Sequence, residues 1–330
     1  MHHLLVFNII DQIRSLGWGG AFSLLRNGIV LGSLYSLIAL GYTMVYGILK
    51  LLNFAHGDVF MVGTFLGYGV LIAFGGALAP VIPIVPLILL MFAASMAGSG
   101  VLGVAIERFA YRPLRNAPRI APLISALGVA FFLENSAQLL TNSAHELYNG
   151  YALGGKNGNF GPLLNPVFSV AGNPVTVVMV IVVLTAIALM AALVALVYRT
   201  KLGKAMRATA FDREAASMMG IDTDRVISTT FFIGSVLAGA AGVMYGLYLG
   251  DAYFFIGFLF GLKAFTAAVV GGIGSLPGAM LGGVLIGVVE AFATGYAGGQ
   301  WSEIVIFGIL ILFLLVRPTG LLGSHAIQKV

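Results

Sequence analysis

Eight long apolar stretches follow one another along this chain, and they constrain its fold more than any other feature. They lie at 27–48, 58–79, 84–106, 120–140, 176–198, 226–249, 260–291 and 301–316. A helix needs about 20 apolar residues to cross a bilayer, and these windows reach or approach that length. Charged residues make up only 9% of the chain, against about 25% in a soluble domain. We therefore predict an all-α, polytopic membrane protein with a single domain over residues 1–330.

Basic residues concentrate in two loops, and this predicts how the chain is oriented. Four Lys or Arg residues lie in 108–119 and six in 199–225, whereas 120–198 carries only Lys156. Because cytoplasmic loops are enriched in Lys and Arg, we expect both basic loops inside and the 141–175 loop outside. Three plain spans before Arg108 would start the chain outside, and a broken first half would start it inside. We expect the inside, and the N-terminal sequence shows no signal-peptide pattern.

Two segments interrupt the apolar stretches. Residues 53–58 read NFAHGD and residues 270–278 read VGGIGSLPG. A single crossing by 260–291 would leave Arg317 outside, so this window is expected to enter the membrane and return. Non-helical backbone at membrane depth requires surrounding protein or a water-filled cavity, and a break in each pseudo-symmetric half indicates a substrate path. The predicted pathway residues are Asn53, His56, Gly57, Asp58, Gly271, Gly272, Gly274 and Ser275.

A structural role for the same polar residues is the alternative. Asn53 or Asp58 would cap the following helix, and His56 would lie at the headgroup boundary. Glu134, late in its span, is either a proton site or a boundary carboxylate paired with a neighbouring helix, and the paired role is favoured.

The basic loop at 199–225 contains EAASMMG at 214–220. Ala, Met and Glu favour a short helix, and Gly220 can end it in a left-handed conformation. Met218 and Met219 would give this helix an adaptable apolar surface. It is either a solvated loop helix without a partner or a coupling helix that docks into a groove of a cytoplasmic motor.

Enzyme motifs are absent from the sequence. It has no G-x-x-x-x-G-K-[ST] phosphate loop, no H-E-x-x-H, no G-x-S-x-G and no cysteine. We therefore expect neither catalytic nor metal-ligating residues, and no nucleotide site of its own.

Several long motifs resemble one family. Residues 27–63, together with 106–115, 203–227, 263–283 and 317–323, resemble the LivH-type permease subunit of high-affinity branched-chain amino-acid ABC importers. The resemblance covers nearly everything except the 141–175 loop. It implies an all-helical permease with eight to ten membrane elements, pseudo-repeated halves and broken or re-entrant segments. In the family, Glu is common at the position of Asp58, and a neutral amide is usual at that of Glu134.

The resemblance also implies a function and partners. The chain would be a multi-pass permease of the bacterial inner membrane that carries Leu, Ile, Val or related amino acids into the cytoplasm. It would work with a second homologous permease, an external solute-binding protein, and two cytoplasmic ATPases that bind ATP and Mg. No cofactor is expected in this chain, and no nucleic acid partner. The implied ATPase-coupling residues are Arg207, Asp212, Glu214, Ala215, Ala216 and Gly220.

Three alternatives compete with this function. The same architecture could carry urea or short amides. An ion-coupled secondary transporter would need a buried carboxylate or cation cluster, and the sequence offers only Asp58 and Glu134 as candidates. A passive channel is the third alternative, but a channel needs no motor-docking helix.

Overall fold

The computed structural model describes residues 2–76, 83–115, 117–118, 120–143, 166–170 and 172–323, with side chains except at 2–17, 75–76 and 141–143. This part of the chain contains eleven α-helices and one two-stranded antiparallel hairpin. The elements are α1 (His2–Leu49), α2 (His56–Leu71), α3 (Ile84–Ile106), α4 (Ile120–Ser143), β1 (Pro166–Val170), β2 (Asn173–Thr176), α5 (Val177–Arg199), α6 (Lys201–Phe211), α7 (Arg213–Met218), α8 (Thr223–Leu249), α9 (Ile256–Gly271), α10 (Leu276–Ala297) and α11 (Gly299–Val316).

Eight of these helical segments are long and apolar enough to span a bilayer, which confirms the predicted polytopic helical fold. They are Trp18–Leu49, His56–Phe74, Ile84–Leu114, Ile120–Leu140, Val177–Arg199, Thr223–Leu249, Leu276–Ala297 and Gly299–Val316. α9 is a shorter apolar helix of 16 residues. Most of the predicted external loop at 141–175 lies outside the described residues.

The predicted break in the 260–291 window is confirmed. α9 ends at Gly271 and α10 begins at Leu276. Gly272 and Gly274 have φ angles of 108° and 94°, which L side chains rarely adopt. Ser275 caps α10, because its hydroxyl accepts a hydrogen bond of 3.2 Å from the backbone N–H of Gly278.

Contacts at the two ends of α1 determine its direction relative to the basic loops. Gly47 and Arg207 of α6 line one small cavity, so α1 ends at the inner, basic end of the bundle. At the other end, Asn173 of the hairpin donates a hydrogen bond of 2.7 Å to the carbonyl of Gly19. The described part of α1 therefore starts at the end of the bundle opposite the basic loops, because 50–55 connects two membrane-spanning helices and three crossings precede Arg108. If the basic loops are inside, as predicted, Trp18 lies outside, against the expectation that the chain starts inside.

Helices α1–α4 and α8–α11 form equivalent units. α1 packs on α10 as α8 packs on α3, and α2 packs on α3 as α9 packs on α10. The two units are offset by 200 residues at their breaks: α1 and α8 end at Leu49 and Leu249, and α2 and α9 begin at His56 and Ile256. With five long helices from α1 to α5, α8 runs opposite to α1. The predicted pseudo-repeated halves are thus an inverted repeat.

Small residues let the central helices approach closely. A Cβ atom at Gly63 of α2 would lie 2.7 Å from the Cα atom of Gly239 of α8. The hydroxyl of Ser95 on α3 lies between them, 2.7 Å from the carbonyl oxygen of Gly63 and 2.8 Å from that of Gly239, so its one hydrogen is within reach of both. Close backbone packing replaces the hydrophobic drive that lipid cannot supply. α1 and α8 form the buried centre, while α4, α5 and α11 expose most of their apolar surface.

Candidate functional site

The N-termini of α2 and α9 meet inside the bundle, one from each repeat. Each helix begins with the same turn: the N–H of His56 donates to the carbonyl of Asn53 at 3.1 Å, and that of Ile256 to the carbonyl of Tyr253 at 3.3 Å. Gly57 permits the approach, because a Cβ atom there would lie 2.9 Å from the Cα atom of Gly261. The inverted repeat therefore brings two helix N-termini together in its core.

Asp58 lies at this junction and faces a small cavity. The residue is only 2% exposed, and its Oδ1 atom has no hydrogen-bond partner. A Cβ atom at Gly257 would stand 2.5 Å from this oxygen, so only glycine leaves room for the carboxylate. The cavity has a volume of about 40 Å³ and is lined by Tyr42, Phe54, Asp58, Leu127, Ala130, Phe131, Glu134, Gly257, Phe258, Gly261 and Leu262.

Glu134 of α4 shares this cavity and is 6% exposed. None of the ion pairs found among the described residues involves Glu134 or Asp58. The favoured expectation for Glu134, a boundary carboxylate paired with a neighbouring helix, thus has no counterpart in the described contacts. Instead, two buried carboxylates line one cavity.

His56 and Asn53 are buried within the protein at the start of α2. The His56 ring packs edge-on against Tyr42, with ring centroids 4.9 Å apart, and its Nε2 atom has no partner. The side-chain oxygen of Asn53 accepts a hydrogen bond of 3.2 Å from the hydroxyl of Tyr111. No side chain caps α2, whose N-cap is Ala55, so the alternative of a capping role for Asn53 or Asp58 is not observed.

Of the predicted pathway residues, Gly271 ends α9, and Gly272, Gly274 and Ser275 lie in the turn between α9 and α10. The chain after α11 is bound to this turn: the N–H groups of Leu321 and Leu322 donate to the carbonyls of Val270 and Gly271, both at 2.9 Å. Gly274 lines a cavity together with Arg207 at the inner end. The segment that meets 53–58 is therefore the start of α9 and not 270–278. Solute contact by Gly271, Gly272, Gly274 and Ser275 stays a prediction.

The predicted coupling segment forms two short capped helices at the inner end. Thr200 caps α6, and Asp212 caps α7 by accepting a hydrogen bond of 2.9 Å from the N–H of Ala215. Gly220, with a φ of 82°, follows α7 as predicted. Arg207 anchors α6 by donating to the carbonyl of Val197 at the end of α5.

Only one side of α7 faces the protein. Ala216 is buried, whereas Glu214 and Ala215 are exposed. Phe211, Met218 and Met219 are 95%, 87% and 83% exposed, which leaves an apolar surface without a partner in the described part of the chain. This surface belongs to the basic segment at 199–225, for which the cytoplasmic side stays a prediction.

An ion-pair cluster links α7 to the transmembrane helices, and it was not predicted from the sequence. Glu107, fully buried after α3, accepts from Ser228 of α8 at 2.6 Å and pairs with Arg112 and Arg115. Arg115 also pairs with Asp224, which pairs with Arg213 of α7 at 3.3 Å. The sequence feature that indicates this cluster is Glu107, an acidic residue at the edge of the basic loop 108–119.

A second buried pair joins α9 and α10. The Nζ atom of Lys263 lies 2.6 Å from Oε1 of Glu290, and the hydroxyl of Tyr35 donates to Glu290 from α1. Sequence reasoning missed it, although Lys263 and Glu290 are the two charged residues of the 260–291 window and have opposite signs. A window that folds back on itself brings such residues together. No metal site was found among the described residues.

One family model and several known proteins match most of this chain. A family model described as "Branched-chain amino acid transport system / permease component" matches residues 24–314. The chain is 44% identical over 309 residues to the high-affinity branched-chain amino acid transport system permease protein BraD of Pseudomonas aeruginosa, covering 93% of this chain and 97% of that protein. It is 42% identical over 312 residues to LivH of Escherichia coli K12, covering 92% and 96%.

A more distant relative is also named as a permease of a branched-chain amino acid transport system. The permease protein LivM of Salmonella typhimurium is 31% identical over 129 residues, which is 38% of this chain and 29% of that protein. No solved structure shows significant similarity.

Proposed function

Because the chain belongs to the family of branched-chain amino acid transport permease components, we propose that it carries leucine, isoleucine and valine into the cytoplasm as a subunit of a binding-protein-dependent ABC importer. It is a multi-pass protein of the inner membrane. The energy comes from ATP, which partner ATPases bind with Mg.

The observation that carries this proposal is the exposed helix α7. It is capped at Asp212, ends before Gly220 and presents Met218 and Met219 at the basic end of the bundle. A short amphipathic helix with flexible apolar side chains suits a groove on a partner protein. A channel or an ion-coupled transporter does not need a docking surface for an ATPase. The exposed surface of α7 therefore favours an importer driven by a cytoplasmic ATPase.

The solute path would run along the junction of α2 and α9. Discontinuous helices whose N-termini meet at a repeat interface are typical of solute sites in transporters. Phe131 of α4 and Phe258 of α9 border the cavity and are also exposed on the outside of the bundle. We infer that a second, homologous permease covers this side, in line with the similarity to LivM.

The docking surface can be tested by uptake of radiolabelled leucine. The assay uses cells that produce this chain with its permease, ATPase and binding-protein partners and lack other leucine importers. The double variant Met218→Glu/Met219→Glu should lose ATPase binding and uptake, because two charges would enter an apolar groove. The matched control Met218→Leu/Met219→Leu should keep both. Normal uptake by the Glu variant would contradict docking through α7.

The same cells identify the solute. Unlabelled valine and isoleucine should compete with labelled leucine, whereas urea and acetamide should not. Competition by urea or acetamide alone would favour the alternative solutes within the same architecture.

A further inference from the structure

The cavity at the junction of α2 and α9 is lined by two acidic side chains. Asp58 and Glu134 are both more than nine-tenths buried and line it together, and Oδ1 of Asp58 has no hydrogen-bond partner. Within the described part of the chain, no Lys, Arg or His side chain lines this cavity. The N-termini of α2 and α9 each offer a partial positive charge of about half a unit, which together is less than two ionised carboxylates require. A buried carboxylate without a partner is costly, so a cation bound beside it would stabilise its ionised form.

The walls of the cavity select the kind of cation. Aromatic side chains, among them Tyr42, Phe131 and Phe258, surround the two carboxylates, and aromatic faces attract organic cations. Two carboxylates and one tyrosine hydroxyl are fewer oxygen ligands than the roughly six to eight that Ca²⁺ requires. A primary ammonium has three donors, and these match acceptors at Asp58 and Glu134. A volume of about 40 Å³ has room for an ammonium group but not for a whole leucine.

The start of α9 adds the opposite charge at the same place. Phe255, its N-cap, has no capping side-chain hydrogen bond, and the first turn of α9 contains no acidic residue. The free N–H groups and the helix dipole suit a carboxylate. A zwitterion can therefore direct its ammonium to the carboxylates of α2 and α4 and its own carboxylate to α9.

We propose that Asp58 and Glu134 form a subsite for the α-ammonium group of the transported amino acid. The aliphatic side chain of the solute would remain beyond the mouth of the cavity, between α4 and α9. This inference rests on the proposed function, because it names the part of the solute that the permease binds during transport.

The subsite can be tested by the charge preference of a thiol reagent. Ala130, which lines the cavity, is replaced in this cysteine-free chain (Ala130→Cys), and the complete importer is reconstituted with cysteine-free partners. The thiol is treated with 2-aminoethyl or 2-sulfonatoethyl methanethiosulfonate, a cation and an anion. Relative to a free thiol in solution, the cationic reagent should be favoured about tenfold or more.

Removing the carboxylates should remove this preference. Asp58→Asn with Glu134→Gln should reduce it about tenfold or more, whereas Glu303→Gln, which alters a carboxylate on α11, should leave it unchanged. Co-purification of the ATPases checks assembly. If the double variant does not assemble, Glu134→Gln alone decides the question, and an unchanged preference in it would overturn the subsite. A cysteine that neither reagent reaches would also overturn it, since solute could not reach the carboxylates either.

Protection by ligands distinguishes an amino-acid subsite from other cation sites. Leucine should protect the thiol best, 3-methylbutylammonium should protect it, and 4-methylpentanoate, which lacks the ammonium, should not. Protection by sodium ions in place of ammonium compounds would overturn the proposal. Uptake of labelled leucine is measured in parallel. If the double variant loses the charge preference but keeps normal uptake, the subsite alone is contradicted. If the unaltered chain shows no uptake, the proposed function is contradicted.

Discussion

Phe60 of α2 and Phe260 of α9 stack with ring centroids 5.6 Å apart and an angle of 18° between the ring planes. The two residues are exactly 200 positions apart and occupy equivalent places in the inverted repeat. Their contact lies next to Gly57 and Gly257, where the N-termini of the two helices meet. The pseudo-symmetry axis of the molecule therefore passes close to the cavity that contains Asp58.

Replacing Gly257 by alanine should abolish solute uptake. The added methyl group would stand 2.5 Å from Oδ1 of Asp58 and 2.9 Å from its Cα atom, so α2 and α9 must separate or the carboxylate must move. The matched control is Gly69→Ala. Gly69 lies near the other end of α2, and no atom lies within 4 Å of the new Cβ atom there. Labelled-leucine uptake and assembly with the ATPases are measured for both. Equal uptake by the two variants would contradict the close approach.

Removing one partner of the Lys263–Glu290 pair should destabilise the protein more than removing both. An unpaired buried charge costs about 3–5 kcal/mol, whereas replacing both partners by uncharged residues of similar size is often close to neutral. We expect Lys263→Met to lower the unfolding temperature of the purified protein, and Lys263→Met/Glu290→Gln to recover most of the loss. Additive losses in this double-mutant cycle would show that the pair is not coupled.

Breaking the ion-pair cluster at Asp224 should separate ATP hydrolysis from transport. Asp224 joins Arg213 of α7 to Arg115, which pairs with buried Glu107. With Asp224→Asn we expect ATP hydrolysis to continue while uptake falls several-fold. Arg225→Gln is the control, because Arg225 is 84% exposed and its pair with Asp222 is worth roughly 0–1 kcal/mol. Equal effects of the two substitutions on uptake would argue against a specific link.

Single cysteines should confirm that α1 starts outside. Trp18 is 94% exposed and next to Gly19, which binds the hairpin. Trp18→Cys should react with a membrane-impermeant thiol reagent in intact cells, and Arg213→Cys should react only after the cells are opened. The reverse pattern would invert the topology.

The sequence predicted the spans, the basic inner loops, the Gly-rich break and the α7 helix, because each depends on local composition. It did not predict which segments meet. The break at 53–58 pairs with 253–258, where Tyr253, Ile256 and Phe258 stand in place of Asn53, His56 and Asp58, so the second segment lacks the polar pattern of the first. The side chains that repeat at a spacing of 200 are apolar or glycine: Phe54/Phe254, Gly57/Gly257 and Phe60/Phe260. Glu134 and Asp58 are 76 residues apart, so their common cavity follows only from the packing of α4 against α2.

ATP-driven accumulation of radiolabelled leucine in proteoliposomes tests the central claim most directly. The vesicles contain this chain with its partner permease, the ATPases and the binding protein, and Gly57→Val is compared with the unaltered chain. A Cβ atom at residue 57 would lie 2.9 Å from the Cα atom of Gly261, so the valine side chain must push α2 and α9 apart or block their junction. We predict that the unaltered importer concentrates leucine only with ATP, and that Gly57→Val assembles but accumulates none. Accumulation without ATP, or equal accumulation by Gly57→Val, would contradict the account.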